Sequence, residues 1–590
     1  MYILGINTGL NSSAVLMKDN KIVFAIQEER ISRIKNQPGF PKLSIKAALE
    51  KFNLSIDDID KVVLGGKGSK MIECREDDIN KFHTRYNIIK KKWFGDEIDF
   101  PSFGTLLQKG IRRLAGKSPK GRKKVIEDYL KEAGIHEKHE RFEHHLCHAA
   151  CAYYGLAPRK DDDKYLVFSL DGGGDSKTSA VYIGEKGKLS EIASSDSFSP
   201  ACIYAHVTYI MGFIPHEHEY KLMGLAPYAQ KKYAEKAKDI LKDFVGFDKE
   251  NPLVFNNTGK YPDVRNSRGE AKQKLVEDLF KSVFTLRFDT LSAGLQLMAE
   301  DVAIEWVKAG IKKTGIKKVL LSGGFFMNVK ANKLIAELPE VEFVSCFPSC
   351  GDEANAFGAA FLGYESARGK DSPHIEFNTC CLGTEASDDI EEAMKKYSNN
   401  VSFRKSSDIN EEIAEMLVAR KIVARCSGKM EFGARALGNR SIIASPDDLR
   451  IINKINAAIK KRDFWMPFAP AVMEDKLETV VDVPDSLKEL YSPYMMFTFQ
   501  AKNEMWDKVI AGIHQTDRTA RAQTVNPATY PEFYDLISKF YKKTGIPSVL
   551  NTSFNLHGFP IVMGACDAVD VYLDSELDVL VVDDYVITRK

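Results

Sequence analysis

"YLVFSLDGGGDSKTSAVYIGEKGKLSEIASS" (165–195) sets the architecture, because it repeats a pattern already met in "YILGINTGLNSSAVLMKDNKIVFAIQEE" (2–29). Each copy has an apolar strand that ends on a polar residue, Asn7 or Asp171. Each then makes a tight turn of small residues and continues into an Ala-Val strand closed by a short hairpin. Duplicated strand–turn–strand units facing a cleft are a way to grip phosphates. Backbone N–H groups point at the anion, and glycines such as Gly172 and Gly173 let the chain approach closely. A third turn, "KVLLSGGFFMN" (318–328), sets Gly323 and Gly324 between an apolar strand and a helix start. One glycine turn is a weak signal; three, two of them in repeated units, predict a nucleotide or anion site.

A chain of 590 residues is too long for one core. Its texture changes at "ARGKDSPHIEFNT" (367–379), which is charged and proline-bearing, so the expected domains are 1–370 and 371–590. The second begins with an acidic amphipathic helix, "SDDIEEAMKKY" (387–397), and ends β-rich at "LDVLVVDDYVIT" (577–588). With 83 basic and 82 acidic residues the chain has no extended nucleic-acid footprint, and no nucleic-acid partner is expected. The basic loop "RRLAGKSPKGRKK" (112–124) reads as a solvated insertion. No signal peptide opens the sequence and no apolar run approaches 18 residues, so no membrane association is expected. Ten cysteines without a CxxC pair suit reduced thiols, and a cytoplasmic enzyme is the default.

"FEHHLCHAACAYYG" (142–155) places His144, Cys147, His148 and Cys151 at i, i+3, i+4 and i+7, on one face of a helix. Two histidines four apart can bind one metal ion together; the bland alternative is a packed helix with two buried thiols. Two further donors stand at element ends. Asp171 lies in the DGGGD turn, and Asp352 opens a helix in "CFPSCGDEANAFGAA" (346–360). Imidazole plus carboxylate suits hard or borderline ions, so His144, His148, Asp171 and Asp352 form a candidate metal set. Both aspartates also fit the simpler role of N-cap or turn residue.

The second domain carries cations among glycines and hydroxyls. "GKMEFGARALGNRSI" (428–442) offers Arg435 and Arg440, "NAAIKKRDFWMPFAP" (456–470) Lys460 and Arg462, and "DRTARAQTV" (517–525) Arg521. "GIPSVLNTSFN" (545–555) adds Asn551, Thr552 and Ser553 after an apolar strand. Arginine supplies a bidentate fork, lysine a point charge and hydroxyls short hydrogen bonds, as a polyphosphate or acyl phosphate requires. No GxxxxGK[ST] and no GxGxxG occurs, which removes the P-loop and Rossmann readings.

Taken in order, "EERISRIK…GFP" (28–41), "HHLCHAA", "DGGGD", "EYKLMGLAPY" (219–228), "SGGFFMN", "GDEANAFGAA", "EFGARALGNRSI", "RDFWMPFAP" and "LNTSFN" resemble the NodU/CmcH family of O-carbamoyltransferases. The resemblance implies an α/β chain with a duplicated, two-lobed actin-like (ASKHA-type) domain followed by a YrdC-like domain. It implies that the second domain makes carbamoyl-adenylate from carbamoyl phosphate and ATP with Mg. The first would pass the carbamoyl group to a hydroxyl of a small molecule or glycan, assisted by iron or another divalent metal. It makes His144, His148, Asp171 and Asp352 the metal ligands, and Gly323, Gly324 and Asn328 the nucleotide turn of the transfer domain. Arg435, Arg440, Lys460, Arg462, Arg521, Asn551 and Ser553 become ligands of the adenylating domain, while Glu219 and Lys221 line the transfer cleft. Two positions depart from the family pattern: the first turn reads Gly9-Leu10-Asn11 where many members carry a His-Asp pair, and Met466 replaces an arginine. Asn11, Glu28 or Asp171 is then left to serve as base, or the acceptor is deprotonated at the metal.

Rival readings are transfer to a macromolecule such as tRNA or a maturation protein, and a nucleotide-binding regulatory protein. Balanced charge counts against the tRNA, the missing CxxC pairs against hydrogenase maturation, and the complete His/Asp set against a non-enzyme. The acceptor's identity and whether the chain forms a homo-oligomer are not written in the sequence.

Overall fold

The computed structural model describes residues 1–67, 128–135, 138–158, 163–256, 270–369 and 372–590; the basic loop at 112–124 lies outside them. The described residues form a mixed α/β fold in two compact units. One is Met1–Asn20 with Gln37–Ile375, the other Lys21–Asn36 with Glu376–Lys590.

The first unit holds the repeat as two sheets of matching topology. In one, strands Ser13–Lys18, Tyr2–Asn7, Lys61–Gly65 and His139–Phe142 lie side by side, the first pair antiparallel and the next two pairs parallel. In the other, Lys177–Glu185, Lys164–Gly174, Lys318–Ser322 and Phe343–Cys346 keep the same order and directions. The apolar runs that begin the copies are their cores. Ile3, Leu4, Ile6, Leu166, Val167 and Phe168 are fully buried, each contributing about 1.5–3 kcal/mol relative to exposure.

Two helices bring the chemistry together. His144–Leu156 packs on the second sheet, Asn355–Ala367 on the first, and the two pack on each other. Their sequences, "HHLCHAACAYYGL" and "NAFGAAFLGYESA", are rich in small residues, which permits a close crossing. At the crossing a side chain on Gly358 would drive into the Cys147 carbonyl. Cys147 and Cys151 are fully buried there, and the Cys151 thiol donates to the Ala354 carbonyl at 2.9 Å. Burial pushes both thiols above their ordinary range. The crossing therefore sets the first turn of one helix, with its histidines, beside the start of the other, with Asp352 and Asn355.

The second unit is built on an eight-stranded mixed sheet. Its strand order is Val401–Lys405, Tyr585–Arg589, Val579–Val582, Val423–Cys426, Arg440–Ala444, Ser548–Ser553, Ala469–Met473 and Gln523–Val525. Two of the seven pairings are parallel and the rest antiparallel. The segment 21–36, expected in the first domain, groups with this unit. Arg30, 2% exposed, donates to the Gly433 carbonyl at 2.6 Å and to Gln27 Oε1 at 3.2 Å. Arg33 donates to the carbonyls of Ile561 and Pro560 at 2.7 and 3.1 Å and pairs with Asp567 at 3.1 Å. "EERISRIK" is thus a clamp on the 433 and 560 loops. No helix among the described residues is long and apolar enough to cross a membrane.

Candidate metal centre and anion site

His144 and His148 occupy the first two turns of their helix, whose N-terminus Glu143 caps by accepting from the amides of His145 and Leu146. Asp171 lies near the end of strand Lys164–Gly174, and Asp352 opens the short turn of helix before Asn355. Each of the four offers a donor atom within 4.8 Å of all the others. The His148 Nε2 lies 3.2 Å from His144 Nε2, 3.2 Å from Asp171 Oδ2 and 3.8 Å from Asp352 Oδ1. His144 Nε2 lies 3.8 Å from Asp171 Oδ2 and 3.6 Å from Asp352 Oδ1. Donors that each bind one ion at about 2.1 Å stand roughly 3.0–4.2 Å apart, so these spacings fit a single ion at their centre.

The charges agree with that fit. Burial opposes protonation of His148, but Asp171 and Asp352 outweigh it and raise its pKa to about 9. The same balance raises His144. Burial alone would push Asp171 up, yet the two imidazoles hold it well below the usual carboxylate range. Carboxylates that draw positive charge onto buried rings are what a divalent cation would meet. Backbone groups fix the carboxylate: the Gly172 amide donates to Asp171 Oδ1, and the Gly324 amide to Oδ2 at 3.3 Å. Gly323 has φ 95°, and any side chain there would strike the Leu170 carbonyl. The third glycine turn thus spends one amide on Asp171.

The first turn also reaches this region. A Cβ on Gly9 would lie 3.4 Å from Asp352 Oδ2, and Asn11 donates to Glu353 Oε2 at 3.5 Å. Lys221 holds its ammonium over the Phe213 ring at 5.3 Å. Glu28, weighed as a base, is buried in the segment that folds with the second unit.

In the second unit the structure brings Lys460 and Ser553 together. Lys460 is 2% exposed and donates to Ser553 Oγ, the Asn555 carbonyl and Asn555 Oδ1 at 3.2, 3.2 and 2.7 Å. Burial, together with the charges of Arg462 and Lys35, holds its ammonium well below the usual lysine range. A buried cation whose hydrogen-bond partners are neutral and whose charged neighbours are cations is arranged for an anion. Lys35 and Asn555 escaped the sequence reading. Lys35 sits in "EERISRIK", and only the placement of 21–36 in this unit reveals its neighbour. Arg435 and Arg521 are half-buried in the same unit.

Three other expected ligands are hydrogen-bonded within the protein. Arg440, fully buried, donates to the carbonyls of Met563, Ser427, Gly428, Asn439 and Thr384 at 2.8–3.1 Å, which engages all three guanidinium nitrogens. Asn328 caps helix Val329–Ala336 through the Ala331 amide at 3.1 Å and pairs with Gln296 at 3.0 Å. Asn551 is buried in the sheet, donating to Ala436 O at 3.1 Å and Gln523 Oε1 at 2.8 Å.

The chain belongs to the carbamoyltransferase family. Models of the Carbamoyltransferase N-terminus and the Carbamoyltransferase C-terminus match residues 2–361 and 414–589. Among its relatives is the Nodulation protein NolNO of Sinorhizobium fredii, 28% identical over 98% of this chain and 79% of that protein. Another, MJ1051 of Methanocaldococcus jannaschii, is 32% identical over 100% of this chain and 99% of its own. Similar solved structures include HypF of T. kodakarensis, at 15% identity and TM-score 0.30 over 62% of this chain and 48% of that one. Component A of the Acidaminococcus fermentans (R)-2-hydroxyglutaryl-CoA dehydratase has 17% identity and TM-score 0.33, covering 62% and 99%. The protein is a carbamoyltransferase enzyme.

Proposed function

We propose that the chain is an O-carbamoyltransferase working in two stages. The second unit, YrdC-like in this reading, takes carbamoyl phosphate and ATP with Mg. Water releases phosphate from carbamoyl phosphate, and the resulting carbamate oxygen attacks the α-phosphorus of ATP, expelling pyrophosphate and leaving carbamoyl-adenylate. The first unit, actin-like in this reading, presents the carbamoyl carbon to an acceptor hydroxyl; as the C–O bond forms, AMP departs and the hydroxyl proton is released. The observation that carries the reading is Lys460, buried with neutral acceptors and cationic neighbours. An incoming phosphate supplies the missing counter-charge there, and Ser553 Oγ and Arg462 add donors beside it.

In the first unit His144, His148, Asp171 and Asp352 would hold a divalent ion such as iron. Bound there, it supplies Lewis acidity toward an oxygen that gains charge in the transfer. The chain's own residues do the rest. The Gly172 and Gly324 amides orient Asp171, Gly9 leaves room beside Asp352, and Asn11 is a polar group of the first turn near the site. The adenylating stage run backwards incorporates labelled pyrophosphate into ATP. That exchange is expected only with carbamoyl phosphate present, and exchange without it would overturn the two-stage scheme.

A further inference from the structure

Asn355 is a fifth polar side chain at the His/Asp set, and its amide faces two of the four donors. It is 1% exposed and stands three residues after Asp352, at the start of its helix. Its Nδ2 lies 3.3 Å from His144 Nδ1 and 3.4 Å from His148 Nε2. Its Oδ1 has no hydrogen-bond partner among the described residues. An amide nitrogen only donates, so Nδ2 can bond these ring nitrogens only where they are acceptors.

With an ion present they cannot be. His144 faces the other three donors through Nε2. If that nitrogen gives its lone pair to an ion, the neutral ring carries its proton on Nδ1. Two donors, Nδ1–H and the amide Nδ2, then point at each other across 3.3 Å. The His148 Nε2 lone pair is likewise taken. The Gly174 backbone lies so close against the His144 ring that a single Cβ there would penetrate it. The amide can turn, since its oxygen and nitrogen occupy equivalent positions about the last torsion.

Resting on the metal reading above, we infer that Asn355 is a positioning residue of the metal centre. In the ion-bound protein its Oδ1 accepts the Nδ1–H of His144, which fixes the tautomer that leaves Nε2 facing the carboxylates. Metal-bound histidines commonly donate their second N–H to an oxygen, and loss of that partner typically weakens metal binding 10–100-fold. Asn355 is placed to be that oxygen.

The test is Co²⁺ titration of metal-free full-length protein, read by visible absorption and by competition with a chelator. Asn355→Leu is close in size and removes the amide. Its Co²⁺ affinity should fall 10–100-fold. In a His144→Ala background the same substitution should change affinity less than about threefold, since its effect passes through that ring. Asn355→Ser repeats the comparison should Asn355→Leu fail to fold. Unchanged affinity in both variants, or an equal loss with and without His144, would overturn the inference. Wild-type protein that binds no Co²⁺ would overturn the metal reading itself, and this inference with it.

Discussion

Replacing Lys460 with methionine separates a phosphate ligand from a structural lysine. The side chain is 2% exposed, and its ammonium has three hydrogen bonds, to Ser553 Oγ and to two oxygens of Asn555. Losing them costs about 1 kcal/mol each, roughly 3 kcal/mol in all. Methionine fills similar volume, and it removes the penalty of an ammonium in a dry site, which is several kcal/mol. Ser553 Oγ keeps a partner, since it also donates to Asn555 Oδ1 at 2.7 Å. The two terms nearly cancel, so ligand-free Lys460→Met protein should melt within a few degrees of wild type. The difference appears with ligand. Carbamoyl phosphate at a hundred times its dissociation constant stabilises the wild type by about 2.7 kcal/mol. For a unit of a little over two hundred residues that is roughly 5–10 °C of melting temperature. The variant should show almost none of it in a calorimetric scan. A variant that keeps the full ligand shift would refute Lys460 as the anion group. One that melts more than about 10 °C lower without ligand would make the lysine structural.

Further outcomes follow from the same geometry. Ligand-free wild type should gain stability as pH rises from the depressed pKa of Lys460 toward 10.5. In that window the unfolded chain holds the proton that the folded chain has lost, at about 1.36 kcal/mol per pH unit for one group; Lys460→Met should flatten the slope in urea titrations across pH. Arg440→Ala should cost about 4 kcal/mol or more, seen as loss of folded protein, because five carbonyls lose their donor together. Gly174→Ala should push the His144 ring aside, weakening Co²⁺ binding while costing about 1–3 kcal/mol of stability; unaltered Co²⁺ binding would show the ring is not clamped.

The repeat was legible because strand, turn and hairpin are local patterns, and both copies fold into sheets of one topology. The four donors were legible because a helical i, i+4 pair and two carboxylates at element ends are short-range signals, and the structure gathers them. What sequence left hidden depends on distant partners. Arg440 looks like a phosphate ligand until Met563 and Thr384, more than fifty residues away, claim its fork. Lys35 looks remote from Lys460 until residues 21–36 fold with the second unit. Asn355 was invisible because asparagine after a GDE turn reads as a helix start, and only the helix crossing at Gly358 sets it against two imidazoles.

The most direct measurement is pyrophosphate release from ATP by purified protein with no acceptor present, with and without carbamoyl phosphate. Release that requires carbamoyl phosphate, is lost in Lys460→Met and Arg435→Ala, and survives in His148→Ala is the predicted result, because adenylation belongs to the second unit and the His/Asp set to the first. Release that ignores carbamoyl phosphate, or that disappears with His148 while surviving without Lys460, would contradict the account.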